Sequence, residues 1–245
     1  MKKITSYSTL CTFVLSILFS IQPLFALNNT ASPVTAEGEE DVYACTGTSI
    51  TSFPYNESFE GGLGDWVQPT GDSGNWTQRS GTTPSNNTGP FQASNGTFYY
   101  YTEASNGGGN LGPNATAFLR SPCIDLSAET AAYFSFDYHM YGNRTGRLTL
   151  QVSDNAGTTW TDLFTVNGQQ QSAENRPWRK EIVDISAYAG NTINLRFVGR
   201  TGTGFDSDIS VDNVVVTTDP QYCGSMAIVN FTTGISRVNV NTINN

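Results

Sequence analysis

The sequence predicts an all-β fold, an antiparallel jelly-roll β-sandwich of the concanavalin-like kind, and three observations carry that prediction. Apolar residues recur with period 2. Phe134, Phe136, Tyr138 and Met140 fall on one side of a run whose other side is Tyr133, Ser135, Asp137 and His139, the pattern of a half-buried antiparallel strand. Such runs are short and are separated by turn chemistry, as at Asp154-Asn155-Ala156-Gly157. Helical periodicity is nearly absent, with room for one turn at Asp184–Ala189. Many short strands with Gly-rich turns close into two packed sheets.

In chain order, residues 1–26 read as a secretory signal peptide. Lys2 and Lys3 precede an apolar run from Leu10 to Phe25, and Leu24-Phe25-Ala26 offers a cleavage site. A retained membrane anchor is the weaker reading. Ser16, Ser20, Gln22 and Pro23 interrupt the run, and a span needs about 20 mostly apolar residues. No later segment is apolar for long enough, so no transmembrane segment is expected. Residues 27–44 are polar and acidic, a linker with little to bury. Residues 45–219 form the sandwich. Residues 220–245 carry a fresh strand pattern in Ile235, Val238, Val240 and Ile243, expected to be the start of a second, truncated module.

Within the body, Trp66 to Pro90 sets two tryptophans among Gly, Asn, Thr and Pro, which rules out a helix there. Tyr99-Tyr100-Tyr101 alternates, so about half of it is buried. Leu148, Leu150 and Val152 face inward on one strand, and Ile193, Leu195 and Phe197 on another. One run changes parity. Ile209 and Val211 lie on one phase, Val214 and Val216 on the other. A β-bulge at Asp212-Asn213 explains the switch; a strand buried on both faces is the alternative.

The chain carries 12 basic and 21 acidic residues, net −9. Loss of Lys2 and Lys3 leaves 10 against 21, or −11, with Lys180 as the remaining lysine. Such a surface repels phosphate backbones, and nucleic acid is excluded as a partner. Cys11 leaves with the signal. Cys45, Cys123 and Cys223 are too widely spaced for a zinc knuckle or a C-x-x-C pair. In an oxidising compartment two of them pair, with Cys45–Cys123 expected to staple the N-terminal strand to the body. Cys223 is then left over, a free thiol or a bond to a partner outside this chain.

Several motifs stand in a telling order. Phe59-Glu60 precedes a Gly turn and Trp66. Gly71-Asp72-Ser73-Gly74-Asn75-Trp76 follows, then Thr83-Pro84-Ser85, Thr88-Gly89-Pro90, Tyr99–Ala104 and Leu119-Arg120-Ser121-Pro122. Phe136–Gly142 and Asp208–Val214 complete the series. Together, over about residues 53–218, they resemble the MAM domain of meprins, neuropilins and receptor tyrosine phosphatases, in its bacterial secreted version. The resemblance implies a jelly roll, a secreted or cell-surface location and a non-catalytic adhesion or recognition role toward an extracellular protein or glycan. A carbohydrate-binding module, or an accessory domain of a secreted peptidase, is the alternative. Phe53 and Ala132 stand about where the animal family has cysteines, so its usual disulfides are not expected.

The resemblance also implies a structural cation between the first strand, the next loop and the last strand. Glu60 and Asp212 match the two ends, and Asp72 and Asn75 add oxygens of the kind Ca²⁺ takes. The alternative is that these side chains cap turns and accept backbone hydrogen bonds at the bulge. Tyr99, Tyr101 and Trp66 are candidates for a ligand-stacking platform, while Tyr100 and Trp76 read as core. His139, the single histidine, excludes a His-based zinc site and is expected to make surface hydrogen bonds. Ser153–Trp160 resembles one sialidase Asp-box. That motif recurs once per propeller blade, and a single copy reads as a hairpin turn with Trp160 packed on its strand.

Overall fold

The structure, a computed structural model, describes Cys45, residues 47–107 and residues 110–219. The expected signal peptide, the linker, the tail and Cys223 lie outside the described residues.

Two six-stranded sheets face each other. In the first, β1 (Ser49–Ile50), β6 (Cys123–Asp125), β11 (Thr192–Arg200), β8 (Arg147–Ser153) and β9 (Thr161–Asn167) are neighbours in that order, and β5 (Thr116–Arg120) also pairs with β11. In the second the order is β10 (Arg179–Asp184), β7 (Tyr133–His139), β12 (Ile209–Thr217), β4 (Phe98–Thr102) and β3 (Thr77–Ser80), with β2 (Tyr55–Glu57) also on β12. The pairings between named strands are antiparallel except β1 with β6. Among the described residues the single helical turn, a 3-10 turn, is at Ser186–Tyr188.

Alternation puts the expected residues inside. Phe134, Phe136, Tyr138, Leu148, Leu150, Val152, Ile193, Leu195 and Phe197 all join the core between the sheets. Phe136 meets Phe197 edge-on with ring centroids 4.9 Å apart, and Trp66 stacks on the same Phe197 at 5.8 Å. Trp76 is also core, and its Nε1 donates to the Ala117 carbonyl at 3.1 Å. These rings are the large apolar area that drives closure; deleting one costs about 3–5 kcal/mol.

The parity switch in β12 is a bulge. The register against β7 shifts between Asp212 and Val215, and Asn213 takes φ 52°. The extra residue turns Val214 and Val216 back toward the core that Ile209 and Val211 already face. Asp212 and Asn213 are thereby aimed off the opposite face. Cys45 and Cys123 form the expected disulfide, with Cα atoms 6.0 Å apart, and it ties the chain before β1 to β6.

Candidate functional site

The outer face of the second sheet is polar, yet it is not exposed. Tyr99, Tyr101, Ser135, Asp137, His139, Ser210 and Asp212 stand on β4, β7 and β12 and are all buried. Two irregular segments cover them, one ahead of β4 and one ahead of β10. Their backbones are pinned to each other. Asn87 N donates to Glu174 Oε1 at 2.9 Å, Phe91 N donates to the Glu174 carbonyl at 2.9 Å, and Trp178 Nε1 donates to the Gln92 carbonyl at 2.9 Å. The second segment is itself held to β7 by buried Gln171, which accepts from Met140 N and donates to the Tyr138 carbonyl.

Beneath this cover the bulge acts as a clamp. Asp212 Oδ2 accepts from Ser94 N and Asn95 N at 2.8 and 2.9 Å, and its Oδ1 accepts from Asn213 N. Asp212 faces Asp137 across the β12–β7 pair. That like-charge pairing is relieved by Lys180, whose Nζ is 2.9 Å from Asp137 Oδ1, and by Ser94 Oγ and Asn213 Nδ2 on Oδ2. Glu60 Oε1 accepts from Thr97 N and Phe98 N, both at 2.8 Å. Gly96 lies between, at φ +69°, where a Cβ would come within 2.5 Å of the Glu60 carboxylate. So Glu60, from the start of the chain's path, and Asp212, from its last strand, grip one segment, 94–98.

The other two residues of the expected calcium set go elsewhere. Asp72 Oδ2 accepts from Phe118 N on β5, at 2.6 Å, in the first sheet. Asn75 is exposed, beside Trp76. Among the described residues no three His, Cys, Asp or Glu side chains stand close enough to share a metal ion. Glu60 and Asp212 remain hard oxygen donors meeting at one loop. For them to hold Ca²⁺, backbone carbonyls and water would have to complete the six to eight oxygens it takes.

The stacking platform expected of Tyr99, Tyr101 and Trp66 is not at the surface. Tyr99 and Tyr101 are 0% and 2% exposed, with Ala93 and Trp178 packed over them. Tyr99 OH donates to the Gly81 carbonyl and Tyr101 OH to Glu103 Oε2. Trp66 is 2% exposed; only its rim reaches a 340 Å³ cavity beside the disulfide. His139 is likewise fully buried, against the expectation of surface hydrogen bonds. The Arg176 backbone is the one hydrogen-bonding group near its nitrogens among the described residues, at poor geometry, and its ring lies 5.7 Å from that of Trp178. Burial pushes its pKa down to about 4, opposed in part by the nearby Arg176 backbone. Asp208, also fully buried, is pushed up to about 7, first by burial and then by the charge of Glu103. Asp212 is raised to about 7 as well, burial outweighing the backbone N–H groups that favour its charged form. Alternation separates two faces of a sheet but does not say that a loop will seal the second one.

Outside the cover, the two pinned segments leave a groove. Its two parts measure 410 and 550 Å³ and share Phe91, Glu174 and Asn175. Tyr141 borders one and Trp178 the other. Phe91 is 54% exposed, the most exposed large apolar side chain among the described residues. The sequence reading missed this site. The available signal was a Phe and a Trp placed in Pro- and Asn-rich stretches, where no strand needs them for a core.

On the first sheet, the Arg196 guanidinium lies 4.0 Å from the Trp160 ring centroid and 4.3 Å from that of Phe118. Trp160 Nε1 donates to the Gly157 carbonyl, closing the Asp-box-like turn as a hairpin.

The model of the MAM domain, meprin/A5/mu, matches residues 58–223. The chain belongs to the MAM family. Over 201 residues this MAM protein is 28% identical to MAM domain-containing glycosylphosphatidylinositol anchor protein 2 of Mus musculus, covering 76% of this chain and 20% of that one. It is also 28% identical over 153 residues to MAM domain-containing protein 2 of Homo sapiens, covering 62% of this chain and 20% of that one. The matched MAM region thus spans about a fifth of these curated relatives. Among solved structures it is similar to the K1 cleaved adhesin domain of Lys-gingipain from Porphyromonas gingivalis W83, with TM-score 0.48 and 20% identity, covering 69% of this chain and 99% of that one.

Proposed function

We propose that this MAM domain is an extracellular adhesion or recognition module of a secreted or surface multidomain protein, and that it binds without catalysing a reaction. The observation that carries the reading is the family match over 58–223 on a disulfide-stapled sandwich. A disulfide of this kind persists in an oxidising compartment, which supports an extracellular or surface location. Relatives named for a membrane anchor support the same location. Among the described residues no helix is long and apolar enough to cross a membrane.

Binding falls to the loop-covered side of the second sheet, where pinned segments present side chains on a rigid base. In this reading Glu60 and Asp212 would hold a structural Ca²⁺ at segment 94–98, and its charge would offset the two carboxylates there. The clamp would then brace the same segments that frame the groove. The test is direct. The full chain is expressed with its own N-terminus, its appearance outside the cell is followed, and the purified product is applied to intact cells. Export and saturable cell binding are expected; retention inside the cell, or no saturable binding, refutes the reading.

A further inference from the structure

We propose that the groove between segments 87–94 and 173–178 binds a short, neutral oligosaccharide. This rests on the recognition reading above and names the ligand class for it.

The shape suits a small ligand. Parts of 410 and 550 Å³ that share three residues make one elongated cleft, each within the range of small-molecule sites. The cleft is also preformed. Three hydrogen bonds already tie its two walls together, through Asn87 N, Phe91 N and Trp178 Nε1, so little ordering is left to be done on binding.

The chemistry suits a sugar. Phe91 keeps 54% of its surface in water although its backbone is fixed; an apolar face held rigid at such a place is ready for the flat C–H face of a sugar ring. Around it, the side-chain amides of Asn87, Gln92 and Asn175 make no hydrogen bond with any described residue. An amide offers a donor pair and an acceptor together, which matches a hydroxyl that gives and takes a hydrogen bond at once. Charge selects a neutral ligand. Glu174 and Arg176 oppose each other in the lining, and the chain at −9 repels acidic polymers. A polypeptide fits less well. Strand addition needs free backbone groups along an edge, and here Phe91 N and the Gln92 carbonyl are already spent between the walls.

The test uses the full secreted chain against short neutral oligosaccharides of galactose, xylose, glucose and mannose, by calorimetry and by tryptophan fluorescence. At least one series binds, with Kd about millimolar or tighter. Phe91→Ala weakens it about tenfold, the loss of one stacking contact, and Asn175→Ala weakens it about fivefold, the loss of one hydrogen bond. Both residues are exposed, so both variants keep the wild-type melting curve. Val67→Ala, at the cavity beside the disulfide, leaves affinity unchanged. The fluorescence change is carried by Trp178 and disappears in Trp178→Phe, which also weakens calorimetric binding because it removes one of the three hydrogen bonds that tie the walls. The proposal is overturned if none of the four series binds, if Phe91→Ala leaves sugar affinity unchanged, if Val67→Ala abolishes binding, or if peptides alone compete at the groove. Cell binding that persists in Phe91→Ala would sink the groove and leave the recognition reading standing.

Discussion

Replacing His139 by leucine should make the protein resist acid better, and by an amount the structure lets one work out. The ring is fully buried, with at best a poorly aligned hydrogen bond to the Arg176 backbone. Its folded pKa is about 4 against an ordinary 6.5. A depressed histidine pKa means that the unfolded chain takes up the proton first. The native state is therefore unaffected above about pH 6.5 and loses stability as pH falls toward 4. At about pH 4.5 the cost approaches ~2.5 kcal/mol, and at about pH 7.5 it is close to zero. Leucine removes this proton uptake and also the two poorly satisfied nitrogens, at a modest cost in shape. Urea unfolding of wild type and His139→Leu at the two pH values isolates the effect, because every other titrating group is common to both proteins. The stability difference between them should move by about 2.5 kcal/mol in favour of the variant on acidification. An unchanged difference would mean that His139 is protonated or solvated in the native state, and the sealed face described above would be wrong.

The remaining predictions bear on the same face and its supports. Asp208 is raised to about 7, so its contribution is present below about pH 4 and lost as pH rises through 7; Asp208→Asn should stabilise the protein near pH 7.5 by up to about 4 kcal/mol and not at pH 4, as urea midpoints would show. Cys123→Ser, or reduction of the Cys45–Cys123 bond across its 78-residue separation, should cost about 2–5 kcal/mol; an unchanged urea midpoint in reductant would refute that. Calcium at about 100 times its Kd should add about 2.7 kcal/mol and raise the melting temperature by about 5–10 °C, with Glu60→Ala abolishing the rise. Equal melting curves in calcium and in chelator would leave Glu60 and Asp212 as hydrogen-bond acceptors alone.

What could be read from the sequence is what obeys a period. Phe134 to Met140, Leu148 to Val152 and Ile193 to Phe197 are legible because a strand that turns one face to the apolar core and the other to polar residues must alternate. The break of phase between Val211 and Val214 was legible for the same reason, and the bulge is where it had to be. The Cys45–Cys123 bond is likewise the expected one. The errors have a common cause. Alternation places Tyr99, Tyr101 and His139 on strands but leaves open whether Tyr99 and Tyr101 are covered and points His139 to the surface, because their cover is two loops with no periodicity of their own. Trp66 was misplaced because its segment runs beside β5 as an irregular strand, with Val67 and Arg120 exchanging backbone hydrogen bonds. Nothing local in the sequence announces that pairing.

If this MAM domain binds its ligand at the groove, the covered face makes recognition and stability share residues. A jelly roll needs one dry interface, and here the core between the sheets supplies it. The second dry layer, Ala93, Tyr99 and Tyr101 under Trp178, adds less apolar area than the main core and contains a buried histidine and several buried acids, a costly composition for a layer that only closes the fold. That cost becomes intelligible if the layer's task is to fix the loops above it. Trp178 touches Tyr99 below, at 5.6 Å, and donates across to Gln92 above, so the packing that orders the sealed face also sets the width of the groove. Substitutions at Tyr99 or His139 should therefore alter binding at a site they do not touch, and substitutions at Phe91 should alter binding and leave stability alone. That asymmetry is measurable, and a plain structural cover would not produce it.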